Sequence, residues 1–187
     1  LKYFKNLALI MLISKSLANV TISVGDVSVS GYTEDIVVPV TLSNPENIVG
    51  GFQFDVIVLP TLIELSGASA VDADNFSADY NIFDDGSGRI VFYSGNGSGI
   101  AQGGDDIVMN LHYDGSEILS ANLDLDLFDL TVSDENGNII EGDLENGSIT
   151  IGDVVILSAT TDTGDVSEEV YIDIELQNSG SVGGLQF

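Results

Sequence analysis

Apolar and polar residues alternate with a period of two through most of the chain, and no window holds the 3.6-residue period of an amphipathic helix. In Ile36-Val-Val-Pro-Val-Thr-Leu42 the inward set is Ile36, Val38, Val40 and Leu42. Phe52, Phe54, Val56 and Val58 alternate with Gly51, Gln53, Asp55 and Ile57, and Ile90 and Phe92 alternate with Val91 and Tyr93. Ile107, Met109 and Leu111 form a further inward set, alternating with Val108, Asn110 and His112. Each pattern predicts a strand with one face in a core. The phase then breaks. Leu123, Leu125 and Leu127 are odd-numbered, whereas Phe128, Leu130 and Val132 are even-numbered, which predicts a bulge near Leu127 that exchanges the two faces. Turn signals separate the runs at Asn44-Pro-Glu-Asn47, Asp84-Asp-Gly-Ser-Gly88, Asn136-Gly137 and Asn146-Gly147. The pattern predicts an all-β fold, an antiparallel β-sandwich of jelly-roll type with eight or nine strands.

The pattern also starts twice. Val20–Asn44 lies without a gap on Val154–Asn178 at an offset of 134 residues, and Val49-Gly-Gly-Phe-Gln-Phe54 returns as Val182-Gly-Gly-Leu-Gln-Phe187 at an offset of 133. A unit of that length is a domain rather than a solenoid repeat. The repeat predicts a first domain over residues 19–152 and the truncated start of a second over 153–187. Upstream, Lys2 and Lys5, the apolar run Leu7-Ala-Leu-Ile-Met-Leu-Ile13 and the small residues of Ser16-Leu-Ala18 have the three-part layout of a secretory signal peptide over residues 1–18. That run is too short for a stable membrane anchor.

Charge narrows the partners. Lys2, Lys5 and Lys15 all precede Val20, leaving Arg89 alone against 30 carboxylates, a formal charge of −29 for the part after residue 18. Such a surface repels nucleic acid and anionic membranes. It suits a saline or calcium-containing exterior, where ions screen self-repulsion. The chain has no cysteine, so neither a disulfide nor a thiolate site is available and stability must come from a packed core.

Candidate chemistry is sparse. His112 is the single histidine and no cysteine can pair with it, so the chain reads as non-enzymatic. Asp72 and Asp74 stand at alternate positions in Val71-Asp-Ala-Asp-Asn75, followed by Asp79, while Asp84-Asp85 and Asp105-Asp106 fall in predicted loops. Carboxylates in flexible loops are what calcium requires, which makes Asp72 and Asp74 candidate metal ligands and calcium a candidate cofactor. There is no tryptophan for a flat polysaccharide platform, and Tyr80, Tyr93 and Tyr113 are the aromatic residues placed to meet a soluble glycan.

Val37-Val-Pro-Val-Thr-Leu-Ser-Asn44, Gly50-Gly-Phe-Gln-Phe54 with Pro60 and Leu65-Ser-Gly67, Gly88-Arg-Ile-Val-Phe92 with the glycine-rich Ser94–Gly99, and Asn146-Gly-Ser-Ile-Thr-Ile151 together have an order and spacing that resembles the cohesin domain of bacterial extracellular scaffold proteins. The resemblance implies a non-catalytic, nine-stranded sandwich that is secreted or displayed at the cell surface. It implies a protein partner, a dockerin-like module, held on one exposed sheet face, with a link to polysaccharide degradation. Carried over position by position, it implies partner-binding roles for Gln53, Asp55, Tyr93 and Asn96. The chain departs from the family where many members have Tyr-Asp-Pro and it has Val58-Leu-Pro60, and where Gly51 replaces a commonly polar contact. A carbohydrate-binding or calcium-dependent adhesive module is the alternative expectation.

Overall fold

A computed structural model of the chain describes residues 20–152, 155–159 and 174–178. The predicted signal peptide and the closing Gly183–Phe187 lie outside the described residues. Twelve strands build the first unit: β1 (Val20–Val24), β2 (Asp26–Ser30), β3 (Ile36–Asn44), β4 (Gly51–Leu59), β5 (Leu65–Ala70), β6 (Phe76–Ile82), β7 (Gly88–Ser94), β8 (Gly104–Tyr113), β9 (Ala121–Ser133), β10 (Ile139–Ile140), β11 (Gly142–Glu145) and β12 (Gly147–Gly152). The first sheet runs β11-β1-β3-β8-β5. The second runs β2-β12-β9-β4-β7-β6, with β10 added against β9. Among the described residues no helix is long and apolar enough to cross a membrane.

The strand count follows from how the chain changes sheets. Only Gly25 separates β1 from β2, and only Asn146 separates β11 from β12. Each pair is one passage that begins in the first sheet and ends in the second. Counting each as one, and setting aside the two-residue β10, leaves nine passages. The first and last passages run side by side, so β1–β11 and β2–β12 pair in parallel, while the other pairings of the two sheets are antiparallel. The expected antiparallel β-sandwich of jelly-roll type is what the chain builds, with these two parallel pairings where it closes the sandwich by laying its last passage along its first. The crossing is tight: a Cβ on Gly147 would press against the carbonyl of Val24 and stand 2.6 Å from that of Gly25. Residue 147 therefore has no room for a side chain.

The predicted alternation holds on most strands. Ile36, Val38, Val40 and Leu42 are buried, as are Phe52, Phe54, Val56, Val58, Ile90, Phe92, Met109 and Leu111. Phe76, Phe92 and Phe52 stack in sequence, with ring centroids 5.2 and 4.9 Å apart. Burying each large apolar side chain contributes about 1.5–3 kcal/mol relative to leaving it in water. Two bulges set the remaining phases. In β9 the register against β4 shifts between Gln53 and Asp55, where Asp129 takes a positive φ of 54°. The predicted face exchange is thus real but lies two residues beyond Leu127, and Phe128, expected inside, is 39% exposed. In β8 a second bulge skips Val108 between the partners of Val40 and Thr41. It turns Val108 inward (8% exposed) and Ile107 outward (51%), correcting the expected inward place of Ile107.

Residues Val155–Ala159 (β13) and Ile174–Asn178 (β14) pair antiparallel. At the 134-residue offset they correspond to parts of β1 and β3. Val155 faces Asn178, whereas the matching Thr21 faces Ser43, so the two pairings differ in register by one residue. In the first unit β8 and β11 flank this pair and pin it.

Candidate partner-binding face

The outer surface of the second sheet can be laid out from its registers. Ser77, Tyr93, Gly51 and Ser133 form one row across β6, β7, β4 and β9. Asp79, Val91, Gln53 and Thr131 form the next, and Asn81, Arg89, Asp55 and Phe128 the third. Each row mixes apolar and polar groups. Gly51 is required by close approach, since a Cβ there would stand 2.7 Å from the carbonyl oxygen of Phe92. Without a side chain at Gly51, a shallow depression of about 220 Å³ opens between Gln53, Val91, Tyr93, Thr131 and Ser133.

Three of the four candidates from sequence meet on this surface in different states. Gln53 faces outward in the middle row and Tyr93, 41% exposed, stands above the depression with its hydroxyl donating to Asp79 Oδ2 at 3.0 Å. Asp55 is on the same face but only 4% exposed. Its two oxygens accept from Arg89 Nε and Nη2, each at 2.7 Å, and the guanidinium carbon lies 5.4 Å from the centre of the Phe83 ring. The hydrogen bond from Arg89 to Asp55 holds the guanidinium pKa above its ordinary value, and the nearby charges of Asp55 and Asp129 add to this. Asp55 is thus committed within the sheet. Asn96 lies off the strands, in the loop after β7. Its Oδ1 accepts from Ser94 Oγ at 2.8 Å and from the Ser98 amide at 2.9 Å, and its Nδ2 donates to Asn75 Oδ1 at 3.1 Å. It clamps two loops at the rim.

Thr131, Ser133, Phe128 and Asp79 were not among the sequence candidates. The signal for the first two was present, because Val132 inward after a face exchange leaves Thr131 and Ser133 outward. Strand β6 gave little signal: Phe76-Ser-Ala-Asp-Tyr-Asn-Ile82 has a weak alternation, so Asp79 read as a loop acid.

Several of the acidic residues cap turns. Asp72 Oδ2 accepts from Asn75 Nδ2 at 2.9 Å, and Asp74 is exposed. Among the described residues no three His, Cys, Asp or Glu side chains form a metal-type cluster. The side-chain hydrogen bond from Ser87 holds the Asp85 carboxyl below the usual carboxylate range, as those from Ser116 and Asn138 do for Asp114 and Asp134.

Of the tyrosines expected to meet a glycan, Tyr113 is inside the core, where burial pushes its phenol pKa up. Tyr80 sits on the inner side of β6 with its hydroxyl donating to the Ser66 carbonyl at 2.7 Å. An aromatic platform is therefore not assembled from them.

His112 has partners that resemble a hydrolytic triad: Ser69 Oγ is 2.9 Å from Nε2 and Asp35 Oδ1 is 2.9 Å from Nδ1. Yet Ser69 is exposed in the middle of the edge strand β5, directly opposite Asn110. The linkage ties β5 and the start of β3 to β8, and nothing in this setting cradles a developing oxyanion.

A scan of protein-family profiles and a search of curated proteins give no match to the chain. Solved structures do match. The cohesin CaCohA2 of Clostridium acetobutylicum, in complex with a variant of CaDoc0917, is 26% identical over 72% of this chain and 100% of its own, with a TM-score of 0.60. A non-cellulosomal cohesin from the hyperthermophilic archaeon Archaeoglobus fulgidus is 21% identical over 72% of this chain and 92% of its own, with a TM-score of 0.57. The sixth cohesin of Acetivibrio cellulolyticus scaffoldin B, in complex with a mutant Cel5 dockerin, is 20% identical over 72% and 99%, with a TM-score of 0.58. With its nine-passage sandwich and its open outer sheet face, the described domain has the cohesin fold.

Proposed function

We propose that residues 20–152 form a receptor module that holds a dockerin-like protein on the outer face of the second sheet. The observation that carries this reading is the depression over Gly51, rimmed by Gln53, Val91, Tyr93, Thr131 and Ser133. It offers shape, an exposed aromatic ring and unpaired polar groups in the middle of a broad strand surface, the composition of a protein-binding patch. Similar cohesins in complex with dockerins support the choice of partner class. We further propose that the chain is exported and that the repeat from Val154 onward begins a second receptor, so that the longer assembly presents this face more than once and gains avidity. A role in assembling polysaccharide-degrading enzymes fits that arrangement.

The test is calorimetric titration of the chain with a panel of calcium-loaded dockerin modules. Tyr93→Ala and Gln53→Ala are expected to weaken the interaction by about tenfold or more, as truncations at the centre of an interface do. Thr41→Ala, on the outer surface of the first sheet, leaves affinity unchanged. Failure of all dockerins to bind, or equal losses from both sheets, overturns the reading.

A further inference from the structure

We infer a calcium site at the end of the sandwich where β3 and β8 meet, built from Asn44, Asp106 and the Ala101 carbonyl. Among the described residues Asp55, Ser87 and Asn44 are buried polar or charged side chains, and Tyr113 also buries a hydroxyl without a hydrogen-bond partner, deep in the core. Arg89 satisfies Asp55, and Asp85 accepts the Ser87 hydroxyl at 2.6 Å. Asn44 is different. Its Nδ2 donates to the carbonyls of Asn47, Ile100 and Ala101 at 3.0, 3.3 and 2.8 Å, which fixes the orientation of the amide, yet its Oδ1 has no hydrogen-bond partner. A buried amide oxygen left unmet is costly, so the site favours a ligand that supplies a positive charge.

That oxygen has company. If residue 104 had a Cβ, it would stand 3.1 Å from Asn44 Oδ1, 3.0 Å from Asp106 Oδ2 and 3.9 Å from the Ala101 carbonyl oxygen. Three oxygens thus border the space that a side chain at position 104 would enter, and Gly104 leaves it clear. The β8 bulge makes this possible. By skipping Val108 it pairs Asp106 with inward-facing Leu42 and Gly104 with Asn44, which brings a carboxylate onto the inner side of the first sheet. Asp105, paired with Ser43, faces outward and adds negative potential.

A carboxylate, an amide oxygen and a backbone carbonyl are the hard, mixed oxygen donors that calcium accepts, with water completing its shell. Magnesium, which demands a small octahedron and dehydrates reluctantly, suits this set poorly. The Ala101 carbonyl keeps a lone pair beyond the one taken by Asn44. A bound ion would join the end of β3 to the 101–106 segment, which follows the Val49–Ile100 bridge and the loop carrying Asn96. This differs from the expected ligands Asp72 and Asp74 and does not depend on any dockerin.

Calcium titration of the full chain by calorimetry, in 0.15 M salt to screen diffuse binding, tests the site. One saturable equivalent is expected, with a dissociation constant on the order of 0.1–1 mM, typical of extracellular modules. Asp106→Asn weakens it by about tenfold or more, since it removes the site's one anionic ligand. Gly104→Ala, whose methyl meets only side-chain oxygens closely, abolishes it. Asp72→Asn and Asp74→Asn leave it intact. Thermal unfolding supplies the control: calcium raises the midpoint of the wild type more than magnesium at equal ionic strength, and this difference disappears in Asp106→Asn. An Asp106→Asn isotherm that superimposes on the wild type, or identical midpoint shifts with the two cations, overturns the site.

Discussion

The only arginine of the chain closes a fork on Asp55, with two hydrogen bonds of 2.7 Å joining β7 to β4 in the middle of the candidate binding face. The two partners are unequally placed, for the carboxylate is buried and the guanidinium is partly open to water. Deleting them therefore has unequal consequences. Arg89→Met leaves a buried carboxylate without a counter-charge and is expected to cost about 3 kcal/mol, whereas Asp55→Ala leaves a guanidinium that water can solvate and costs about 1 kcal/mol. Urea unfolding at pH 7 measures both. Equal losses would show that the fork is not held by burial of the anion.

The bulge in β8 makes a sharp prediction from two neighbouring residues. Ile107 points to solvent and Val108 points into the core, the reverse of an unbroken alternation. Ile107→Asp should change stability by no more than about 0.5 kcal/mol, while Val108→Asp buries an unpaired carboxylate and should cost roughly 3 kcal/mol or more. Chemical denaturation of the two variants decides the phase, and the opposite ranking would restore the unbroken strand.

Legibility in the sequence follows the same physics. Period-two alternation marks strands such as β3 and β4 because one face is wholly buried, so Ile36 to Leu42 and Phe52 to Val58 could be assigned without coordinates. The β9 face exchange was visible because leucines stand on both sides of it. The β8 bulge was not, because Ile107 and Val108 are both apolar and either could face the core. Partnerships were less legible than faces. Asp55 and Tyr93 could be put on an outer surface, but that Arg89 spends its charge on Asp55 depends on a cross-strand register that no local pattern encodes. Asn96 and Asp72 are legible as polar loop residues, whereas the bond from Asn96 across to Asn75 of another loop and that of Asp72 to Asn75 within its own turn are not. Asn44 read as a turn asparagine, and its burial became visible only when the 101–106 segment was brought against it.

Gly51 couples fold and binding at one position. A methyl group there would meet backbone, the Phe92 carbonyl at 2.7 Å, and backbone cannot swing aside as a flexible side chain does. Gly51→Ala is expected to cost about 1–3 kcal/mol through forced separation of β4 and β7, although alanine ordinarily suits a strand better than glycine. It also fills the floor of the depression, so partner affinity should fall further than in Ile57→Ala, a truncation elsewhere on the outer side of β4. Unfolding and binding measured on the same preparations separate the two effects; a stabilised Gly51→Ala protein would contradict the close approach.

Asp134 closes the turn between β9 and β10, accepting hydrogen bonds from the amides of Asn136 and Asn138 at 2.9 and 2.8 Å and from Asn138 Nδ2 at 2.9 Å. The side-chain hydrogen bond from Asn138 is the largest cause of its lowered pKa, followed by the backbone amide of the same residue. A folded pKa below the unfolded one means that the unfolded chain binds more protons in the interval between them. The contribution of Asp134 is therefore complete above the unfolded carboxyl value, near 3.9, and is lost as pH falls through the lowered folded value. Asn138→Ala should raise the Asp134 midpoint toward the ordinary value, which carboxyl-carbon NMR titration reads directly. The stability deficit of Asn138→Ala relative to the wild type should be present at pH 7 and shrink as Asp134 is protonated. A midpoint unmoved by the substitution would assign the shift to the backbone amides alone.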